Sequence, residues 1–179
     1  MRRYLKRSEV QQLVTNATSA GRYGARDALM LTLMYRHGLR VSELCNLLWS
    51  DIDLDERTIL IRRLKRGVDS VHPLSDEEHQ QLTTLHAASH GATLVFLNER
   101  GRRMQRQRVH EIVKRASAGL AVNVHCHTLR HSTGYALVKA RLPIRNVQSF
   151  LGHASIGSTL VYAHLDETRF VGAMNALAA

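Results

Sequence analysis

The hydrophobic pattern of this 179-residue chain changes period once and then changes back. Up to Trp49 the apolar residues recur at helical spacing. Ser8-Glu9-Val10-Gln11 has the form of a capping box, with Val10, Leu13 and Val14 as the apolar face behind it. Leu29, Met30, Leu33 and Met34 predict a buried helix over Ala25–Tyr35, punctuated by Gly38. Arg40 then opens a further helix through Val41, Leu44, Leu47 and Leu48, with Trp49 closing it onto the core. From Ile52 the residues become β-branched and alternate. Ile52–Leu54, Thr58–Arg63 and Val68–Leu74 predict three short strands, joined by turns at Asp55-Glu56-Arg57 and Lys65-Arg66-Gly67. Ser75-Asp76-Glu77-Glu78 caps a helix to about Ala88. Leu94–Leu97 reads as a short strand, about Gln105 to Ala118 as a helix, and a last helix runs from about Glu167. Helical runs on both sides of one alternating block give a mainly α fold with a small antiparallel β-sheet packed to one side. No repeat or linker divides residues 1–179, so a single domain is expected. A chain of this size buries roughly 70% of its unfolded surface.

Charge narrows the partners. Lys and Arg number 25 against 15 acids, a net charge of +10. The surplus is clustered: Arg100, Arg102, Arg103, Arg106 and Arg108 fall together, as do Arg57, Arg62, Arg63, Lys65 and Arg66. Such clustering points to a polyanion, nucleic acid first. Few aromatics interleave the cations, which favours contacts to a duplex backbone over stacking on single strands. No apolar run is long enough to span a bilayer, and MRRYLKRSEV lacks the apolar core of a signal peptide. The expectation is a cytoplasmic, nucleoid-associated protein with no membrane partner. Cys45 and Cys126 fit no disulfide framework, as suits a reducing compartment.

The chemistry concentrates between His127 and Tyr162, in HTLRHSTGYALVKARLPIRNVQSFLGHASIGSTLVY. His127 and Arg130 lie three residues apart, on one face of a helical turn. Gly152 can end a helix in the left-handed conformation and leave His153 free to point into a cleft. Tyr162 follows nine positions later. A guanidinium fork, two imidazoles and a phenol together suit nucleophilic attack on a phosphodiester. A lone arginine on a helix is usually a solvated side chain, and a lone histidine usually structural. Their joint spacing carries the reading. A metal-dependent phosphodiesterase built on His125, Cys126, His127 and His131 is disfavoured, because adjacent positions cannot converge on one ion and no carboxylate joins them.

HTLRH, LGH and Tyr162, preceded upstream by RHGLRVSEL, resemble the signatures of tyrosine recombinases, or phage-type integrases, from about Leu5 to Arg169. The segment ILIRRLKRGVDSVHPL most resembles the short fimbrial phase-variation invertases. The resemblance implies the catalytic-domain fold of that family and a site-specific DNA recombinase that uses no cofactor and no metal. Arg40 and Arg130 match the two arginines that bind the scissile phosphate, and Glu43 the acid that supports the first. Lys65 matches the hairpin lysine that protonates the leaving 5′-oxygen. His127 and His153 match the two histidines around the phosphate, and Tyr162 the nucleophile. Planar, permanently charged guanidiniums suit a phosphorane, and a phenol of pKa about 10 needs cations and a base to attack at neutral pH. His131 is expected to be structural or to stand behind the reacting groups, and Tyr4, Tyr23, Tyr35 and Tyr135 to be the tyrosines buried for packing.

By the same resemblance the partners are double-stranded DNA with inverted recombination sites, a homotetramer on DNA with a monomer off it, and accessory DNA-bending proteins. Arg62, Arg63, Arg66, Arg102, Arg103, Arg106 and Arg108 are expected on the DNA. No separate N-terminal core-binding domain is expected, a departure from most of the family. Residues 166–179 are expected to form a helix exchanged between protomers. Two alternatives stay open: a DNA-binding regulator that does not cut, and a type IB topoisomerase-like enzyme that only relaxes DNA.

Overall fold

The structure is a computed structural model and describes residues 2–64 and 67–163. Eight helices occur among them: α1 (Arg7–Thr18), α2 (Gly24–Arg36), α3 (Val41–Cys45), α4 (Asp76–Ala87), α5 (Arg106–Ala116), α6 (Cys126–Lys139), α7 (Ile144–Leu151) and α8 (Gly157–Ala163). Strands β1 (Ile52–Asp53), β2 (Thr58–Ile61) and β3 (Ser70–Pro73) form one antiparallel sheet in chain order, with Ile52 opposite Ile59 and Ile59 opposite His72. This is the mainly α architecture with a small sheet that the change of period implies.

Helix α2 is central because it is apolar on nearly every side. Ala28, Leu29, Met30, Leu31, Leu33 and Met34 are all buried, and a helix apolar all round must be covered all round. It packs against α1, α3, α4 and α6. Each of its buried leucines contributes about 1.5–3 kcal/mol relative to exposure. A second, smaller cluster lies under α7, where Val147, Leu151 and Tyr162 are buried against Leu137, Val138, Leu142 and Phe150.

Several boundaries differ from the expected ones, each for a local reason. The first helix begins two residues earlier than its capping serine implies, because the Glu9 carboxylate accepts the Lys6 backbone N–H at 2.7 Å. Helix α3 stops at Cys45, short of Leu48, because the chain turns extended there. The Leu47 carbonyl accepts from the Val95 N–H, and the Thr93 carbonyl from the Trp49 N–H, both at 3.0 Å. Leu94–Leu97 contributes only isolated bridges, Leu48 to Leu94 and Leu97 to Arg103. The Ser75 cap of α4 is in place, its hydroxyl accepting the Glu78 N–H at 3.3 Å. Lys65, Arg66 and the expected C-terminal helix, with the segment 166–179, lie outside the described residues.

A buried polar chain ties the sheet to α2 and α4. His37 Nδ1 lies 3.2 Å from His72 Nδ1, and His37 Nε2 lies 3.1 Å from the Glu78 carboxylate. The Ser70 hydroxyl lies 2.9 Å from His72 Nε2, and the His72 ring stacks on Phe150 at 4.0 Å. The carboxylate can only accept, so His37 Nε2 donates to Glu78, and the directions of the His37–His72 and His72–Ser70 contacts follow from the ring tautomers. Burial, then the positive fields of His37 and Arg63, push His72 down to about 3.

The unfolded chain takes up a proton at His72 near pH 6.5 that the folded chain refuses until about pH 3. Stability is therefore intact above about pH 6.5 and is lost as pH falls toward 3, by about 1.4 kcal/mol per pH unit for this proton. Denaturant unfolding across pH 7.5 to 4.5 should show the decline. His72→Asn should be less stable at pH 7.5 and show a slope shallower by about one proton. An unchanged slope would assign the acid sensitivity to other histidines.

Candidate active site

Two helix ends facing each other build the site. Helix α2 ends with Gly38 at φ +60°, and the Leu39 N–H returns to the Met34 carbonyl at 3.2 Å. Helix α7 ends with Gly152 at φ +60°, and the His153 N–H returns to the Gln148 carbonyl at 3.0 Å. Both are left-handed caps of the Schellman type, open to glycine at low cost. A Cβ on Gly38 would also stand 2.6 Å from the Leu151 side chain. The last carbonyls of the two helices carry partial negative charge toward the same space.

Two buried guanidiniums fill that space. Arg130 is 1% exposed; its Nη1 donates to the Gly38 carbonyl and its Nη2 to the Leu151 carbonyl, both at 2.6 Å. Arg63 has a side chain with 0% exposure. It donates to the carbonyls of Phe150 (2.6 Å), His37 (3.2 Å) and Gly38 (3.3 Å), and to the Glu43 carboxylate at 3.0 Å. Charge-assisted bonds to carbonyls that have no helical partner of their own offset much of the cost of burying these cations. Burial, then the fields of Arg40 and Arg63, lower Arg130 to about 10, so it stays charged at neutral pH.

Arg40 is the open member of the cluster. It stands just before α3, its side chain 28% exposed, with Nη1 donating to Glu43 at 2.6 Å and its backbone N–H at 2.8 Å. Burial alone would raise the Glu43 carboxyl. The Arg40 backbone bond and the charges of Arg63 and Arg40 overcome this and hold it below the usual carboxylate range.

Tyr162 comes from α8 and is 2% exposed. Its hydroxyl lies 3.2 Å from His131 Nδ1, and the His153 ring stacks over it at 6.3 Å and 15°. Burial pushes the phenol up, while Arg130 and Arg40 pull it down less strongly. His127 meets His131 edge-on at 4.3 Å. Desolvation, then His131 and Arg130, push His127 down to about 4; desolvation, then Arg130 and Arg40, push His153 down to about 4. His131 is lowered as well, first by burial and then by His125 and Arg130. The imidazoles of these three are therefore neutral at pH 7, with lone pairs free to accept protons. His153 Nδ1 is held 2.8 Å from the Thr159 hydroxyl.

Arg40, Glu43, His127, Arg130, His153 and Tyr162 thus surround one corner. His131, expected to be structural or to stand behind the reacting groups, touches the phenol. Other expectations are corrected. Tyr162 is the buried tyrosine, whereas Tyr4, Tyr23, Tyr35 and Tyr135 are only partly covered. Arg63, expected on DNA, has no surface to offer it. Arg62 is exposed but paired with Asp51 at 2.6 Å, and Arg108 is engaged by Glu99 and Glu111. Arg102, Arg103 and Arg106 are exposed and line one open concavity. Lys65 and Arg66 are outside the described residues. Two patterns could have revealed the missed residues. His127, His131 and Gly134 fall on one stripe of α6, and Arg63 continues the inward alternation of Ile59 and Ile61.

The chain matches the Phage integrase family over residues 3–169. This chain belongs to the phage integrase family, the tyrosine-type recombinases. Among relatives of this integrase, the type 1 fimbriae regulatory protein FimE of Escherichia coli K12 is 40% identical, covering 96% of this chain and 90% of FimE. FimB of the same strain is 37% identical over 96% of this chain and 88% of FimB. The crystal structure of XerA recombinase superposes with a TM-score of 0.82 at 26% identity, covering all of this chain and 66% of XerA. A XerH complex with its palindromic difH substrate gives 0.81 at 22% identity and shows the shared fold, with 53% of XerH covered.

Gly134 sits where the Tyr162 ring rests on α6. A Cβ there would come 2.5–2.8 Å from three ring carbons, so Gly134→Ala displaces the ring. Overpacking of this kind costs about 1–3 kcal/mol. The variant should be less stable by that amount, and Tyr162 should react faster with a phenol-nitrating reagent than in wild type, as mass spectrometry reads. Equal nitration rates would mean that the ring does not lie on Gly134.

Proposed function

We propose that this integrase is a site-specific DNA recombinase that cuts and rejoins duplex DNA through a 3′-phosphotyrosyl intermediate and inverts a DNA segment. The observation that carries the reading is the gathering of one phenol, two phosphate-binding guanidiniums and neutral imidazoles around a single corner. Arg40 and Arg130 take the non-bridging oxygens of the scissile phosphate, offsetting the charge that builds as the phosphorane forms. The Tyr162 oxygen attacks phosphorus, and its proton passes to His131, the imidazole already at its hydroxyl. The bond from phosphorus to the 5′-oxygen breaks, and that oxygen leaves as a hydroxyl. By family resemblance Lys65 supplies its proton. His127 and His153 flank the phosphate. The tyrosyl phosphodiester keeps the energy of the broken bond, so a second 5′-hydroxyl can reverse the step without a nucleotide cofactor.

Similarity to FimE and FimB over nearly the whole chain supports inversion of a fimbrial switch. Relatives solved as complexes with recombination-site DNA support a duplex partner. Inverted sites, a homotetramer on DNA, exchange of residues 166–179 between protomers and accessory bending proteins belong to the same proposal. Arg102, Arg103 and Arg106 grip phosphates, which positions the chain without reading bases. With Arg130 and Tyr162 both covered, DNA engagement must shift α8, whose outer side shows Leu160 and Val161. That burial also favours a second reading, a regulator that binds DNA and leaves it uncut.

A nicked suicide duplex carrying inverted repeats from beside the coding region separates the two. Wild type should become covalently attached to DNA. Tyr162→Phe should bind equally well and form no adduct, and Arg40→Ala or Arg130→Ala should lose about 10²–10³-fold in cleavage rate. Binding without any wild-type adduct would select the regulator.

A further inference from the structure

Three guanidiniums and one buried carboxylate share the corner, and Arg63 is the one that the reaction has not used. Resting on the reading above, we propose that Arg63 is a positioning residue for cleavage: it neutralises Glu43 from the interior side and thereby leaves the charge of Arg40 to the scissile phosphate. Glu43 is buried and accepts at both oxygens. Arg40 Nη1 is on Oε1 at 2.6 Å, and the Arg40 N–H and Arg63 Nη1 are on Oε2 at 2.8 and 3.0 Å. A buried carboxylate stripped of its internal partner draws the nearest cation into a tight pair. Here that cation is Arg40, the one guanidinium of the three with an open side.

Arg63 is placed for this task two residues past the end of β2. It continues the inward alternation of Ile59 and Ile61, while Arg62 points out to Asp51. Its other side-chain bonds go to the neutral carbonyls of His37, Gly38 and Phe150, so Glu43 is its charged side-chain partner among the described residues. Its backbone N–H donates to the exposed Asp69 carboxylate at 2.7 Å, where water screens the charge. The bond to Oε2 also fixes the carboxylate plane that holds Arg40 at Oε1. An arginine wholly out of reach of DNA thus sets how much positive charge the phosphate meets.

The test compares two scissile groups in single-turnover cleavage of the nicked duplex that wild type captures: an ordinary phosphate and an uncharged methylphosphonate. Arg63→Met should cleave the phosphate about 10²-fold more slowly than wild type, with DNA affinity within about threefold. On the methylphosphonate, whose uncharged linkage leaves less negative charge to neutralise in the transition state, its deficit should shrink to less than about tenfold. The double variant Arg63→Met/Glu43→Gln removes both charges of the pair and should regain at least about tenfold on the phosphate. An equal deficit on both groups, wild-type cleavage by Arg63→Met, or no gain in the double variant overturns the proposal. Should Arg63→Met not fold, the double variant decides. A loss on the phosphate smaller than about tenfold, and no larger on the methylphosphonate, supports the proposal, and a loss of about 10²-fold on both overturns it. Failure of wild type itself to form an adduct removes the recombinase reading, a result separate from any of these.

Discussion

The carbonyl of Gly38 accepts two guanidiniums, Arg130 Nη1 at 2.6 Å and Arg63 Nη1 at 3.3 Å. This shared acceptor joins parts of the chain that are otherwise remote. One guanidinium comes from α6, the other from the strand end before the hairpin, and the acceptor from the turn that closes α2. The same two side chains reach the terminal carbonyls of α7 at Phe150 and Leu151. Two helix C-termini that would repel each other are bridged by cations in the space between them. Fixed this way, the turn also sets Arg40, two residues further on, beside the same space.

The electrostatics of the corner follow from that bridge. Among the described residues Arg40, Arg63 and Arg130 face one carboxylate, Glu43, so the site holds excess positive charge. That excess explains the neighbouring imidazoles. Desolvation and the guanidiniums hold His127 and His153 near 4, far below the ordinary histidine value. Rings that stay neutral can accept protons, and the Tyr162 phenol sits among them. Burial holds the Tyr162 phenol protonated.

The sequence carried the chemistry more legibly than the geometry. Helical spacing showed α2 as a buried rod, and the alternation from Ile52 marked the sheet. The arginines, histidines and tyrosine were legible through motifs, since HTLRH and LGH fix residue types at set intervals. What stayed hidden depended on contacts far apart in the chain. His131 meets Tyr162 across 31 positions, and Arg63 meets Phe150 across 87. A cluster of basic residues looks alike whether it grips DNA or holds a core together. Only the inward phase of Ile59, Ile61 and Arg63 distinguished one from the other. The end of α3 was equally hidden, because Leu47 and Leu48 fit a helical stripe until Thr93 and Val95 offer them extended partners.

The central claim is that Arg63 and Arg130 are locked against the Gly38 turn in the folded chain. Nitrogen-detected NMR of the arginine side chains, with Gly38 labelled at its carbonyl carbon, tests this directly. The account predicts resolved, slowly exchanging Nη–H signals for Arg63 and Arg130, with through-hydrogen-bond coupling from Arg130 to the Gly38 carbonyl, while Arg62 exchanges rapidly. Fast exchange with water at both residues, indistinguishable from Arg62, would contradict it.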